Sequence, residues 1–435
     1  MLLPKYDGNC GWYENLPNVS THLPIEGENT YHTVIIGGGF VGMAAARRLA
    51  ENLPDEQFLL VEALKVGQGA SGRNSGFVID HPHKRDLEKS DPNRMGKIVA
   101  LNRMAIEYLE KNIQKYSIDC QWSRAGKYQG AVGERGIKFL SAYQALLDYF
   151  GEDYKYLNRD ELKEVIGTDY YKAGIFTPGT VLMQPAALMR GLVDNLPENV
   201  TVSENTPILH MRKQKNVFSL DTPKSVISCR SLVLATNAFT GEFGFLKNRT
   251  LPVMTFASMT SPLTHSQMKT YGGQLDWGLT PADHAGTTFR MTQDRRLIVR
   301  NSYQYAPEVN APEQIKESIL DAHRASLKAR YPSLADIEFE YSWGGTSTLS
   351  GNFETFFGQV DDGVYTACCD QSVGAARGTA TGMMLADLIA GRNKEQVADM
   401  IEISGSPTKL PPEWMLRIGV PLRMQLAKLA SKSEI

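Results

Sequence analysis

The stretch Thr33-Val34-Ile35-Ile36-Gly37-Gly38-Gly39-Phe40-Val41-Gly42 constrains this chain more than any other. Four β-prone residues run into glycines at the G-x-G-x-x-G spacing, and an alanine-rich amphipathic segment follows at once. Each glycine has its own task in a strand–turn–helix that receives a pyrophosphate. Gly37 permits a tight turn out of the strand, Gly39 lets the backbone touch phosphate, and Gly42 lets the helix lie close to the sheet. The helix opening at Phe40 and Val41 directs unpaired N–H groups and the positive end of its dipole to the same point. A second strand, Gln57-Phe58-Leu59-Leu60-Val61, ends at Glu62, twenty residues beyond Gly42. A carboxylate there can accept from both hydroxyls of an unphosphorylated ribose, which favours FAD or NAD over NADP. The motif alone does not separate those two.

A chain of 435 residues exceeds one ordinary domain and predicts two. Its 42% hydrophobic and 22% charged residues match a soluble globular protein. A formal net charge of −2 argues against a polyanion-binding surface, so nucleic acid is not an expected partner. No apolar run reaches bilayer-spanning length, and the first residues carry no secretory signal pattern. Cys10, Cys120, Cys229, Cys368 and Cys369 have no metal-ligand spacing, so no metal site is expected and a reduced, cytoplasmic protein is.

The chain divides by pattern. Residues 1–30 read as a polar, extended arm, and 31–90 as the first part of a dinucleotide-binding domain. Apolar residues at helical spacing predict helices over 95–118, 137–150 and 160–166, so 91–170 is assigned to a helical insertion and part of a substrate domain. The second part of the nucleotide domain is 171–245, with a helix over 186–195 and strands at 217–220 and 231–236. Between 246 and 343 strands dominate, at 253–259, 287–291 and 296–299, with one helix near 314–331, as in a largely antiparallel substrate domain. The third part, 344–395, holds a strand at 364–369 and a small-residue helix over 375–390, stopped by Gly391. The tail, 396–435, contains an amphipathic segment over 414–430, interrupted by Pro421, expected to dock on the protein's own body rather than on a membrane.

The unit Glu62-Ala63-Leu64-Lys65-Val66-Gly67-Gln68-Gly69-Ala70-Ser71-Gly72-Arg73-Asn74-Ser75-Gly76 resembles the second FAD-contact segment of the D-amino-acid-oxidase-like (glycine oxidase/sarcosine oxidase) family, closest to the gamma-glutamylputrescine oxidase type. Glycines at 67, 69, 72 and 76 allow the backbone close to a ligand, while Ser71, Arg73 and Asn74 offer donors. Leu232-Val233-Leu234-Ala235-Thr236-Asn237-Ala238 resembles the family's turn under the adenine half of FAD. Trp343-Gly344-Gly345 and the segment from Val364 to Gly391 resemble its last flavin-binding part, with Ser372, Val373, Gly374, Ala375 and Ala376 at a helix start. The resemblance implies an α/β fold: a Rossmann-like FAD-binding domain with an inserted, mainly antiparallel α+β substrate domain. It also implies FAD as cofactor, expected here to be noncovalent. One departure stands out. The family often has a Gly-His-Gly-like turn before its last helix, whereas this chain has Gln371-Ser372-Val373-Gly374 and then Arg377.

The resemblance implies an oxidoreductase that breaks a C–H bond beside an amine by hydride transfer to flavin N5, giving an imine that hydrolyses, with dioxygen or another acceptor taking the electrons. Thr288-Phe289-Arg290-Met291 with Asp294-Arg295-Arg296-Leu297 resembles the family's substrate-domain hairpin. Arg290 is the leading candidate to clamp a substrate carboxylate, its side chain opposite those of Phe289 and Met291. Arg300 on the partner strand and Arg377 near the ring are further candidates. Tyr303, Tyr305 and Trp343 suit packing better than substrate contact, and His81-Pro82-His83 suits a loop surface better than a site. A nicotinamide-dependent dehydrogenase and a flavin-binding protein without turnover remain as alternatives.

Overall fold

The computed structural model describes residues 2–6, 9–81, 91–311, 314–431 and 434. One sheet is built from both ends of the chain. Its parallel centre runs Val364–Cys368, Ser225–Leu234, Gly27–Ile36, Phe58–Val61 and Val200–Ser203, in that spatial order. Val34 pairs with Leu232 on one side and Leu59 on the other, and Leu232 pairs with Val364. Strands covered on both faces read as continuous apolar runs, and Phe58–Val61 is buried at every position. An antiparallel strand, Phe356–Asp361, closes one edge, and the hairpin of His210–Gln214 and Val217–Asp221 extends from Ser225–Leu234. The strand Phe58–Val61 after the glycine loop and the strand Val364–Cys368 before the helix Gly374–Ala390 therefore point the same way, three hundred residues apart in sequence.

The helices Phe40–Asn52 and Gly374–Ala390 pack on this sheet and against each other at unusually close range. A Cβ at Gly378 would stand 3.2 Å from the Phe40 Cβ, and one at Gly382 would overlap the Val41 carbonyl. Small residues are thus required at the crossing. The contact is pinned at its far end by Asp387, fully buried, which accepts from Arg48 Nε at 3.0 Å, Asn52 Nδ2 at 2.7 Å and Asn393 Nδ2 at 2.8 Å. Removing such a partner from a buried charge costs about 3–5 kcal/mol.

The second sheet runs Phe339–Leu349, Leu251–Thr260, Leu297–Tyr305, Thr288–Met291, Trp277–Pro281, Lys127–Ala131, Ala173–Thr177 and Lys155–Asn158. All its pairings are antiparallel except that of Trp277–Pro281 with Lys127–Ala131. Three of its strands come from residues 127–177, so it draws on two separate stretches of chain. Long helices cover the expected regions: Pro92–Tyr116, started by the Asp91 side chain on Asn93 N, and Glu134–Phe150, ended by Gly151 at φ +63°.

The first thirty residues are not simply an extended arm. Gly11–Glu14 forms a helical turn that buries Trp12, and the first strand already begins at Gly27. Trp12 Nε1 donates to Asn74 O at 2.8 Å, and Gln184 Nε2 donates to Trp12 O at 2.6 Å. Further out, Tyr6 bridges to Ala311, tying the arm to the second sheet's side. At the other terminus, the helix Glu413–Ala430 lies against Leu297–Tyr305, with Leu416, Val420 and Met424 half-buried. The expected docking on the protein's own body therefore holds for one side of this helix. The opposite side, with Trp414, Ile418, Leu422, Leu426 and Leu429, is exposed, because the strand Leu297–Tyr305 can cover only one flank of a helix apolar on two.

Candidate functional site

The glycine loop leaves its strand at Gly37, whose φ of +105° is a left-handed conformation that favours glycine. A Cβ there would also stand 2.6 Å from the Ala235 carbonyl. Gly42 packs so tightly under Gly37 that a Cβ would overlap its carbonyl oxygen, so its role is helix-to-strand packing away from the cavity. Gly39 caps the helix Phe40–Asn52 without any side-chain acceptor of its own. Instead the Phe40 N–H donates to Ser71 Oγ at 3.1 Å, which joins the first motif to the second. The carboxylate of Glu62 accepts from Gly38 N at 2.8 Å and Leu64 N at 3.0 Å. Burial raises its pKa, partly countered by these two N–H groups. Each carboxylate oxygen has further lone pairs, and the group borders a cavity of about 170 Å³ with Gly37, Gly39, Ala63, Gly69 and Thr236.

The second motif folds as a short helix, Ala70–Arg73, capped by Gly69. A Cβ at Gly69 would meet nothing within 4 Å, so this residue faces open space. Arg73 and Asn74 are already engaged within the protein. Arg73 Nε donates to Gln68 O at 2.7 Å and its Nη1 to Gly344 O at 3.1 Å. Asn74 Nδ2 donates to Ser71 O at 2.6 Å, and its Oδ1 accepts from Gly76 N at 2.8 Å. Both still border the larger cavity, together with Ser71 and Ser75, but they act first as clasps on the loop. Trp343 Nε1 adds a third clasp, donating to Arg73 O at 2.9 Å.

The last segment brings a second helix start to the same place. Cys369, Gln371 and Ser372 all have positive φ, at +62°, +53° and +69°, which is unusual for three non-glycine residues in four. This turn is held by Gln371 Nε2 on Cys369 O at 3.0 Å and by Cys369 N on Asn237 Oδ1 at 3.2 Å. It delivers Val373, Gly374 and Ala375 to the cavity beside Phe40 and Val41, so two positive helix ends converge there. Arg377 sits one turn in. Its Nη1 is buried without a hydrogen-bond partner, and burial lowers its pKa to about 10. Asp370 lines the same wall, and burial raises its pKa to about 6.

The larger cavity, about 1380 Å³, adjoins the smaller one, both being lined by Ala70, Ser71, Ala235, Asn237 and Thr346. Its far wall is the second sheet, presenting Thr255, Thr288, Arg300 and Tyr303, and Gly345 lies on its border. Arg300 is half-buried; its Nη2 donates to Thr288 Oγ1 at 2.8 Å and its Nη1 to Tyr303 OH. Among the described residues no carboxylate pairs with it. Arg290 does not fill the role expected of it. It is fully buried and absent from the cavity wall, stacked on Trp12 at 5.1 Å, with Nη1 donating to the carbonyls of Gly76 at 3.1 Å and Met183. The reason is Gly76: at φ +79° and without a Cβ, it leaves the space that the guanidinium occupies. Ala376 is likewise buried inside its helix, away from both cavities. His81 is buried beside Arg103, and His83 lies outside the described residues.

Sequence reasoning missed several wall residues. Leu3, Pro4 and Tyr6 of the arm border the small cavity, and Pro421, Met424 and Lys428 of the C-terminal helix border the large one. Tyr6 and Pro421 carry no motif, and only the fold places them there.

These features fit a dinucleotide cofactor: open space at Gly69, two helix starts whose N-cap residues supply no side-chain acceptor, a carboxylate at the ribose position and a buried, unpartnered guanidinium N–H. Comparison with known proteins agrees. A family model described as FAD dependent oxidoreductase (DAO) matches residues 32–388. The gamma-glutamylputrescine oxidoreductase of Escherichia coli K12 is 23% identical over 375 residues, covering 83% of this chain and 84% of that protein. The glycine oxidase structure from Geobacillus kaustophilus aligns with a TM-score of 0.73 at 17% identity, covering 84% of this chain and 96% of that one. Iminodiacetate oxidase from Chelativorans sp. BNC1 aligns with a TM-score of 0.67 at 16% identity, covering 83% and 96%. At such identities the structural likeness establishes the shared fold.

Proposed function

From the chain's membership of the DAO family of FAD-dependent oxidoreductases, we propose that it oxidises the C–N bond of a small amine that also bears a carboxylate, with FAD held noncovalently. The observation that carries the substrate reading is Arg300, a cation on the cavity wall with no anionic partner among the described residues. The names of the relatives point the same way. One acts on gamma-glutamylputrescine, and two structural neighbours on glycine and iminodiacetate, both of which join an amine to carboxylate.

The residues divide the work. Gly39 and the Val41 N–H, next to the Phe40 N–H that Ser71 Oγ holds, would receive the pyrophosphate, Glu62 the ribose, and Ala63 with Ala235, Thr236 and Asn237 the adenosine half. Gly69 to Ser71 would follow the chain of the cofactor towards Gly345 and the Ser372–Ala375 turn, where the ring would lie. FAD, when bound there, would supply the two-electron sink for oxidation at the carbon next to nitrogen. Arg300 anchors the substrate carboxylate, and Tyr303 and Thr288 fix the fork of the guanidinium. The cations Arg300 and Arg377, in a partly desolvated cavity, disfavour the ammonium form, so that the amine is neutral when the C–H bond breaks. Arg377 and the helix start at Gly374 favour negative charge in the ring's vicinity. Arg290 is a positioning residue, holding the 75–76 backbone from behind. A two-electron acceptor, dioxygen or another, completes the turnover. Five buried cysteines, all free thiols, support a reducing, cytoplasmic setting.

The test is an anaerobic panel of amines and amino acids, scored by bleaching of the bound flavin. Bleaching by amines that carry a carboxylate supports the reading. A flavin reduced by dithionite but by no amine would leave a binding protein without this activity.

A further inference from the structure

The C-terminal helix Glu413–Ala430 has no buried residue, although half of it is apolar. Trp414, Met415, Ile418, Leu422, Leu426 and Leu429 are between 45% and 66% exposed. At 3.6 residues per turn they fall within an arc of about 120° and form one stripe about 22 Å long. Other large exposed apolar residues, such as Leu23, Tyr149 and Phe353, lie far apart along the chain. A contiguous stripe is of a different kind from such single residues and marks a contact surface.

The charges on the helix indicate what covers it. Arg417, Arg423 and Lys428 lie on both flanks of the stripe, about 100–120° from its centre by the same helical period. The sole acid in the helix, Glu413, is already bound by Tyr305 OH at 2.8 Å and Arg417 at 3.1 Å. Arg423 and Lys428 have no ion pair among the described residues. Arg417 is already paired with Glu308 and Glu413, but pairing two copies of the stripe would bring Arg423 and Lys428 of both copies together with no counter-charge among the described residues. An anionic lipid surface would instead neutralise both flanks while the stripe entered the acyl boundary, the arrangement of an interfacial helix with Trp near its end. The helix is also held along the protein's body at both ends, by Tyr305 at the start and by Ser431 on Asp283 at 2.6 Å beyond the finish. It lies on the surface and presents one long side outwards.

We propose that the helix Glu413–Ala430 seats the enzyme on an anionic lipid surface. Because Pro421, Met424 and Lys428 also border the large cavity, seating brings that border of the site to the lipid. The inference stands independently of the substrate reading.

The experiment uses the full-length, flavin-loaded protein, sedimented with vesicles of phosphatidylcholine alone or mixed equally with phosphatidylglycerol. Binding to the mixed vesicles is expected, weaker binding to the neutral ones, and weakening by added salt. The double exchange Ile418→Ser with Leu426→Ser should lower the partition into mixed vesicles by at least about tenfold, with flavin content and turnover unchanged. If that variant loses its flavin, the single exchange Leu429→Glu carries the same expectation. Wild-type protein that stays in the supernatant with mixed vesicles overturns the proposal, as does undiminished binding of the exchanged protein. Ultracentrifugation showing a wild-type dimer that the exchanges turn into a monomer also overturns it, assigning the stripe to a second copy of the chain.

Discussion

Replacing Arg300 by alanine tests the substrate reading at a single side chain. A guanidinium has five N–H donors, and Tyr303 and Thr288 occupy two of them, which leaves three for a ligand. Hydrogen bonds to charged groups contribute about 1.5–3 kcal/mol each, and a half-buried position takes the lower part of that range. Losing a two-pronged contact then costs about 2–3 kcal/mol, or roughly 30- to 150-fold in kcat/KM for the carboxylate-bearing substrate. Arg300→Lys should restore part of this, because a point charge cannot reproduce the fork. Steady-state assays on a matched pair, an amino acid and its decarboxylated amine, separate anchoring from general damage. Only the acid should suffer, and flavin content should stay at wild-type level. Equal losses on both compounds, or no loss on the acid, would refute the assignment.

Gly69→Val should leave the fold intact and remove the cofactor, since its Cβ points into empty space beside Glu62; circular dichroism together with flavin content reads both, and a fully yellow variant contradicts it. Arg290→Met keeps much of the volume but strips a donor from the carbonyls of Ser75, Gly76 and Met183. It should destabilise the protein by about 3 kcal/mol, seen as a lower denaturation midpoint, with a smaller effect on kcat/KM than loss of Arg300. His323 is buried against Ser258, and burial lowers its pKa to about 4. It therefore contributes stability at neutral pH that is lost as pH falls from about 6.5 towards 4, at most about 3 kcal/mol. Urea midpoints followed over that range should fall less steeply in His323→Gln, and equal slopes would remove His323 as the cause.

The parts legible in the sequence are those whose causes are local. Gly37 is dictated by its own positive φ, Gly42 by a Cβ clash with Gly37 five residues before it, and Glu62 by the length of one strand–helix–strand unit. The parallel strands declare themselves as short apolar runs, and Gly391 ends its helix with φ +64°. Arg290 shows where such reasoning stops. Alternation along Thr288–Met291 sets its side chain opposite those of Phe289 and Met291, but every residue of that strand is buried. Alternation distinguishes two faces; it does not say which one borders the cavity. Its neighbour Arg300 could be chosen only after the sheet was seen. Arg73 and Asn74 resemble ligand donors in isolation, yet their partners Gly344 and Gly76 show them clasping the loop. The turn at Gly11–Glu14 is too short to form by itself. It exists because Trp12 finds Asn74 and Gln184, contacts that span 62 and 172 positions of sequence.

A single anaerobic turnover ties reduction of the flavin to cleavage of the C–N bond. The flavin-loaded protein is mixed with an excess of the best amine from the panel, and bleached flavin, carbonyl product and released ammonia or amine are counted together. One carbonyl and one released nitrogen compound are expected for each flavin bleached, with all the FAD recovered in the supernatant after acid precipitation. Flavin bleached without carbonyl, or carbonyl formed while the flavin stays oxidised, would contradict oxidation of a C–N bond in this cavity.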